Sequence, residues 1–495
     1  MKKHSFLVIK TFIILILFVA SAAPQQKGTI KKYLDDKEKV YEEICNNFGL
    51  QTWNLYSLEG PADIQSAKEK FRKLFTDEEL KKNIKGWGSE PEIMGDQSLK
   101  RRIDVWKKIL DAASIEYSPE IIKLSSSLLE DVRNRDTKDA AKTKELQARV
   151  IELIKKRNEL ALVNGYNNYA EFVLESTGLG AKWFYEFVES VDKKTLPVYK
   201  ELFDKIKNEK GAVSIGDIAR FQKNLPAPSF SKDSLFLVMS ETLADIGIDY
   251  GKLPIRFVIK EADFGGNCIG VRIPEDMRVV MVPNMPVSVY LHELGHGLQW
   301  MKTAIESPLL EGYEWCMGGT APAFYEGMAQ TLAGFSKHPE WYKKYARFTD
   351  EKIKGYTSVD KFNEAVKIRF NLINFMLEIE LYKNPDRDPG ELFSSLIEKY
   401  LLLENIKYPF SMVNTLYVDY PCYLHNYFLA DIIAWQVHDA LKNRFGGNYL
   451  FDKHVGEFMA DNLYKDGMLL EWQQILKRAT GKTLDVEGYL KQLGI

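Results

Sequence analysis

Hydrophobic and polar residues follow a helical period along most of residues 30–250. Pro61–Lys85 places apolar side chains at helical spacing among many charged ones, and Lys138–Val163 repeats this pattern over a longer stretch. Asn164-Gly165 is typical of a helix end, and Lys193–Lys210 is another charged, amphipathic segment. We therefore predict helices in this region that each bury one apolar stripe and expose the rest of their surface.

The pattern changes to that of β-strands between about residues 254 and 283. Pro254–Lys260 alternates apolar and polar residues, Asp263–Gly270 is rich in glycine, and Arg278–Pro283 adds a short apolar run. Helical spacing returns at Pro286 and continues to the end of the sequence. The sequence thus predicts a mainly α fold with one small β-sheet.

The first residues have the features of an export signal. Two lysines follow Met1, Thr11–Ala20 is an apolar stretch, and Ala20-Ser21-Ala22 offers small residues for cleavage after Ala22. An uncleaved anchor is the alternative, but Lys10 interrupts the apolar run, which is too short to cross about 30 Å of hydrocarbon. We predict that residues 1–22 are a signal peptide and that the protein is exported, to the periplasm or the medium, without stable membrane insertion after cleavage.

Composition excludes several classes of protein. Of the 495 residues, 45% are apolar and 27% are charged, which is enough apolar material for a large core and unlike a disordered chain. Removal of the three lysines in residues 1–22 changes the net charge from −2 to −5, so nothing indicates binding to nucleic acid. The four cysteines, Cys45, Cys268, Cys316 and Cys422, are too far apart for a zinc ribbon, and their pairing is left open.

The segment His292-Glu293-Leu294-Gly295-His296 contains the spacing HExxH. On a helix, positions i and i+4 lie on one face, so both imidazoles can bind one metal ion. Glu293 lies one step around the helix, where its carboxylate can act on a water molecule as a general base instead of binding the metal. This motif predicts one Zn²⁺ per chain and metal-assisted hydrolysis of a peptide bond.

A hydrolytic zinc site requires a third protein ligand and one open position. Glu326 is the preferred candidate because it follows Thr320 and Pro322, which favour a helix start, and because its neighbours are apolar. Glu311 and Glu314 are nearer in sequence to the two histidines and stay open as alternatives.

The stretches HELGHGLQW and APAFYEGMAQTLAGFSKHPEW resemble the angiotensin-converting-enzyme family of zinc peptidyl-dipeptidases, with a looser similarity to thimet oligopeptidases over residues 150–445. The resemblance implies a two-lobed helical ellipsoid with a deep central channel, formed by one catalytic domain at 23–495 with a helical lid at about 30–150. It also implies that short peptides are cut. Carried over by position, His292, His296 and Glu326 are the metal ligands, Glu293 is the base, and Tyr427 stabilises the oxyanion.

Two positions depart from that family. Gln330 stands where the family has an aspartate that supports a zinc-bound histidine, and glutamine accepts a hydrogen bond but lacks the charge. Asn426 stands where the family has a chloride-binding arginine, so the resemblance does not extend to chloride activation.

Substrate contacts are predicted at two further places. Tyr423 and Tyr427 are spaced i, i+4, so both hydroxyls can face one channel, with Tyr423 as a substrate contact. Gly266 and Asn267 form either an exposed strand edge that pairs with an extended peptide or an ordinary tight turn.

Together these features predict an exported, monomeric zinc metallopeptidase that hydrolyses short peptides and releases C-terminal dipeptides. A thimet-like oligopeptidase and a metallocarboxypeptidase are alternatives with the same metal core. An inactive, exported peptide-binding protein is a third alternative, which the intact HExxH motif disfavours.

Overall fold

The computed structural model describes residues 4–88, 90, 95–136, 138–223, 230–261, 265–407 and 410–494, and within these ranges it leaves the side chains of 4–26, 221–223, 232–233, 356–361 and 492 undescribed. In chain order the helices are α1 (His4–Ser57), α2 (Ile64–Phe75), α3 (Glu78–Trp87), α4 (Gln97–Glu116), α5 (Pro119–Asn134), α6 (Ala140–Val163), α7 (Tyr169–Ser176), α8 (Ala181–Lys210), α9 (Ile215–Lys223), α10 (Lys232–Asp245), α11 (Val287–Met301), α12 (Pro322–Phe335), α13 (Pro339–Trp341), α14 (Asp350–Lys383), α15 (Pro389–Leu401), α16 (Thr415–Asp419), α17 (His425–Phe445), α18 (Val455–Met459), α19 (Trp472–Thr480) and α20 (Glu487–Leu493). The mainly helical class predicted from the sequence is confirmed.

Local capping explains where several of the N-terminal helices begin and end. The helix predicted over Pro61–Lys85 is two helices, because the Asp77 side chain accepts a hydrogen bond from the Leu80 N–H and starts α3. The prediction for Lys138–Val163 agrees closely with α6, which ends at Val163 and is followed by Asn164 and by Gly165 at φ 87°.

The predicted strand region forms a three-stranded sheet with β1 (Ile255–Ile259), β2 (Gly266–Arg272) and β3 (Asp276–Met281). The strand order is β1-β3-β2, with β1 parallel and β2 antiparallel to the central β3. The first half of β2 is in register with the end of β3, since Gly266 lies opposite Met281. Two residues of the predicted Asp263–Gly270 stretch, Asp263 and Phe264, lie outside the described residues.

Small residues allow α11 to pack closely against its neighbours. A Cβ atom added at Gly297 would lie 2.8 Å from Cδ1 of Ile255 in β1, so this face of α11 rests on the sheet. A Cβ atom added at Gly295 would lie 2.6 Å from the Cα of Ala329 in α12. These close approaches hold α11 between the sheet and α12.

One cluster of buried apolar residues runs from Ile30 in α1 to Leu493 in α20. All four cysteines are free and buried. Within the part of the chain that the structure describes, no helix is both long and apolar enough for a membrane crossing. The predicted signal peptide at 1–22 falls on residues whose side chains are not described.

Candidate metal and catalytic site

Helix α11 brings the two histidines of the HExxH segment together. It begins at Val287, directly after Pro286, and the two histidines lie one turn apart near its middle. The ring centroids of His292 and His296 are 4.9 Å apart. His296 is buried and His292 is partly buried.

Glu326 in α12 completes a three-residue cluster with the two histidines. Its Oε2 atom is 3.2 Å from Nε2 of His292 and 3.5 Å from Nε2 of His296. The potential ligand atoms of the three residues all lie within 4.8 Å of one another. Zinc–ligand distances of about 2.0–2.2 Å place the ligands of a tetrahedral site about 3.4 Å apart, which agrees with these separations.

The surroundings of Glu326 favour a cation at this point. Burial alone would raise the pKa of Glu326, but the nearby imidazoles of His296 and His292 hold that pKa well below its ordinary value. Burial would lower the pKa of His296, yet the Glu326 carboxylate raises it to about 9. Oε2 of Glu326 is buried and has no hydrogen-bond partner among the described residues. A set of two imidazole nitrogens and one carboxylate oxygen fits Zn²⁺.

The two alternative ligands, Glu311 and Glu314, are not members of this cluster. Burial raises the pKa of Glu314 to about 7. Glu314 also interacts electrostatically with His296, Glu326 and Glu293. Burial raises the pKa of Glu311 to about 8, and its charged neighbours are Glu42 and Glu275.

Glu293 is buried beside the cluster and faces the start of β2. Burial, together with the negative charge of Glu326, raises its pKa above the ordinary value, although both histidines oppose the shift. A Cβ atom added at Gly266 would lie 3.0 Å from Cγ and 3.1 Å from Oε1 of Glu293. The absence of a side chain at this position therefore leaves room for the Glu293 carboxylate.

Gly266 and Asn267 both lie in β2, so the tight-turn alternative is wrong for these two residues. Because β3 is the central strand, β2 has one edge that pairs with no other described strand. The structure thus places a strand edge next to Glu293.

Tyr423 and Tyr427 lie opposite α11, with ring centroids 5.5 Å apart. The Tyr423 hydroxyl donates a 2.7 Å hydrogen bond to Oε1 of Glu326, so it contacts a predicted metal ligand. Tyr427 is 41% exposed. Burial and the negative charges of Glu326 and Glu293 raise the pKa of Tyr427 well above its usual range, so its hydroxyl keeps the proton.

Gln330 lies next to a histidine of the cluster. Its Oε1 atom is 3.3 Å from Nδ1 of His292, and its Nε2 atom donates a 2.8 Å hydrogen bond to Oδ1 of Asp431 in α17. Oδ2 of Asp431 is 2.6 Å from Nζ of Lys367 in α14. The sequence analysis did not identify Asp431 and Lys367. Asp431 could have been singled out, because a charged residue inside the apolar run Phe428–Trp435 is expected to be buried with a partner.

Other polar residues of α17 serve its packing. Asn426 is buried and donates a 2.8 Å hydrogen bond to the carbonyl of Tyr423. His438 is buried, with Nδ1 2.8 Å from the Tyr449 hydroxyl and Nε2 2.9 Å from the Thr331 carbonyl. Burial lowers the pKa of His425 to about 4 and that of His438 to about 3, so both imidazoles stay neutral.

No family model and no curated protein matches the chain. Solved structures with a similar fold include a carboxypeptidase from Pyrococcus furiosus (TM-score 0.70, 16% identity, 94% of this chain and 98% of that chain). Metallocarboxypeptidase 1 from Trypanosoma cruzi is similar as well (TM-score 0.72, 13% identity, 93% and 98%), and so is PZ peptidase A (TM-score 0.64, 14% identity, 87% and 87%). The fold is thus shared over nearly the whole length of these chains.

Proposed function

We propose that the protein is an exported zinc metallopeptidase that removes residues from the C-terminus of short peptides. The observation that supports this most directly is the convergence of His292, His296 and Glu326, with Glu293 beside them in the position of a base. The fold adds support, because the similar solved structures are peptidases by name. The proposed partners are peptides, and neither charge nor composition suggests nucleic acid.

In this proposal His292, His296 and Glu326 hold the zinc ion. When bound, zinc supplies Lewis acidity, which polarises a carbonyl group and makes a water molecule more acidic. Tyr423 holds the Glu326 carboxylate in place through its 2.7 Å hydrogen bond. These four side chains therefore prepare the metal position.

Glu293 acts as general base and then as general acid. A buried carboxylate with a raised pKa is a stronger base than an exposed one, and a proton that it takes is more readily retained until the amine leaves. Tyr427 donates a hydrogen bond to the oxyanion that develops from the scissile carbonyl, since burial and the nearby carboxylates raise the pKa of its hydroxyl above the usual range. A donor in that position typically contributes about 3 kcal/mol to the lowering of the barrier.

We propose that the first residues of β2, on the edge that pairs with no described strand, supply a docking position for an extended peptide. Gly266 and Asn267 lie at the end of this edge that faces Glu293, so a peptide pairing there passes directly by the base.

Two outcomes at the C-terminus are proposed, and different observations favour them. The names of two similar structures favour removal of one residue at a time by a carboxypeptidase. The sequence resemblance around HELGHGLQW and APAFYEGMAQ favours release of dipeptides. An oligopeptidase remains the third subtype, which the similarity to PZ peptidase A favours.

A peptide set with free and amidated C-termini, digested by the purified protein and analysed by mass spectrometry, separates these outcomes. Loss of single residues from free C-termini supports a carboxypeptidase, and loss of residue pairs supports a dipeptidase. Internal cleavage of amidated peptides contradicts both. The Glu293→Gln variant and a chelator-treated sample serve as controls, and cleavage that persists in both contradicts the zinc peptidase proposal itself.

Export and the monomeric state are further parts of the proposal. N-terminal sequencing of protein secreted by an expression host is expected to begin at Ala23. Light scattering is expected to give the mass of one chain.

A further inference from the structure

Three polar side chains, Gln330, Asp431 and Lys367, connect Nδ1 of His292 to the protein surface through successive polar contacts, and we call this series the Asp431 chain. Oε1 of Gln330 lies 3.3 Å from Nδ1 of His292, and Nε2 of Gln330 lies 2.8 Å from Oδ1 of Asp431. Nζ of Lys367 lies 2.6 Å from Oδ2 of Asp431. Asp431 is buried and Lys367 is about one-third exposed. The three residues come from α12, α17 and α14, so the chain exists only in the folded protein.

Asp431 determines which way the Gln330 amide points. An ionised carboxylate only accepts hydrogen bonds, so the NH₂ group of Gln330 must face Asp431 and its carbonyl oxygen must face His292. Nζ of Lys367 lies 2.6 Å from the other carboxylate oxygen, so this salt bridge holds the Asp431 side chain in place.

The amide orientation in turn fixes the tautomer of His292. A carbonyl oxygen at Nδ1 requires a proton on that nitrogen, which leaves the lone pair on Nε2, the atom that faces Glu326. With the amide reversed, two N–H donors would face each other or the proton would move to Nε2, where it would compete with a metal ion.

The second histidine has no such support. Nδ1 of His296 is buried and has no hydrogen-bond partner among the described residues. Outer partners of metal-bound histidines set ring orientation and ligand basicity. The Asp431 chain is therefore the one outer support that the described residues give to the two imidazoles.

We propose that Asp431 is a positioning residue of the metal site, which orients Gln330 and thereby holds His292 in the tautomer that binds zinc. This inference rests on the proposed zinc site. It explains how a histidine whose direct partner is the uncharged Gln330 is still linked to a negative charge, because Gln330 in turn contacts Asp431. Asp431 does not touch substrate, and Lys367 completes the arrangement from the surface.

The test exchanges the amide of Gln330 and the carboxylate of Asp431 between the two positions. In Asp431→Asn, the carbonyl of the new amide turns toward the Lys367 ammonium, so its NH₂ group faces Gln330 and reverses the glutamine amide. We expect a 10- to 100-fold weaker zinc affinity, the usual loss for an outer partner, measured by competition with a chromogenic chelator. In the double variant Gln330→Glu/Asp431→Asn, the carboxylate introduced at position 330 accepts from both His292 and the amide introduced at position 431, and we expect affinity near that of the wild type.

Asp439→Asn is the matched control, because Asp439 lies on the same helix and pairs with Lys491 at 2.9 Å. Its zinc affinity is expected to equal that of the wild type, and thermal unfolding in chelator reports whether each variant folds. An unchanged affinity in Asp431→Asn, or a loss that the double variant does not restore, would overturn the inference. If Asp431→Asn does not fold, the double variant alone decides, since a tenfold loss in it contradicts the exchange.

Failure of the proposed function has a different signature. In that case the wild-type protein itself binds no zinc in the chelator assay, whatever residue stands at position 431.

Discussion

The site has a metal wall, formed by α11 and α12, and a tyrosine wall, formed by the segment that carries Tyr423 and Tyr427. Different kinds of interaction hold the two walls in place. On the metal wall, α11 and α12 meet through small residues. One turn of α11 aligns the two histidines, and the close packing of α12 brings Glu326 next to them. On the tyrosine wall, the segment that leads into Tyr423 is irregular, and residues distant in sequence hold its backbone. Within the metal wall, one helix thus places the two histidines, whereas the position of Glu326 and the tyrosine wall both depend on contacts between separate segments.

Two buried side chains hold the backbone of the tyrosine wall. Arg157 donates hydrogen bonds of 3.3 and 2.8 Å to the carbonyls of Tyr417 and Val418, and it forms an ion pair with Glu116. Glu378 accepts a 2.8 Å hydrogen bond from the N–H of Cys422, a residue at φ 54°. A non-glycine residue in the left-handed region is unfavourable by itself, so the surrounding contacts must stabilise it.

The largest expected effect comes from the metal wall. Glu293→Gln keeps the shape of the side chain but removes the base, so kcat is expected to fall by about 10³. Zinc content, measured by elemental analysis, should be unchanged because Glu293 is not a ligand. A variant that keeps wild-type turnover would contradict the assignment of the base.

A smaller effect is expected from the tyrosine wall, and it distinguishes the two hydroxyls. Tyr427→Phe should lower kcat by about 10² with unchanged zinc affinity, because it removes only the oxyanion donor. Tyr423→Phe removes the hydrogen bond to Glu326 and should weaken zinc affinity instead. Steady-state kinetics and chelator competition on both variants check this division, and identical profiles for the two would contradict it.

The last expected effect concerns the pH dependence of stability and leaves the catalytic groups unchanged. Burial raises the pKa of Glu378 from 4.5 to about 8, although the Cys422 N–H and Arg157 act in the opposite direction. Between these two values the unfolded chain releases the Glu378 proton and the folded protein keeps it, so this group lowers stability as pH rises.

Glu378→Gln mimics the protonated acid and still accepts from Cys422. Relative to the wild type, its free energy of unfolding is therefore expected to increase between about pH 5 and 8, as measured by urea denaturation. A difference that stays constant with pH would mean that Glu378 is ionised in the folded protein.

Much of the fold followed from the sequence because helical and strand periods are local properties. The sheet at 255–281 and helix α6 lie where the patterns placed them. Errors arose where one residue interrupts a pattern, as at Asp77, whose side chain caps a second helix inside an apparently continuous one. Such a cap depends on a single hydrogen bond, which periodicity does not report.

The sequence by itself determined the pair of histidines, the glutamate next to them and the strand that precedes them, since i, i+4 spacing within one helix fixes which side chains share a face. Only the tertiary structure decided that Glu326 and not Glu314 joins the histidines, that Tyr423 bonds to Glu326, and that Asp431 stands behind Gln330. Contacts between helices depend on how their surfaces pack, and Gln330 and Asp431 are 101 residues apart in the chain. No periodicity within one segment carries that information.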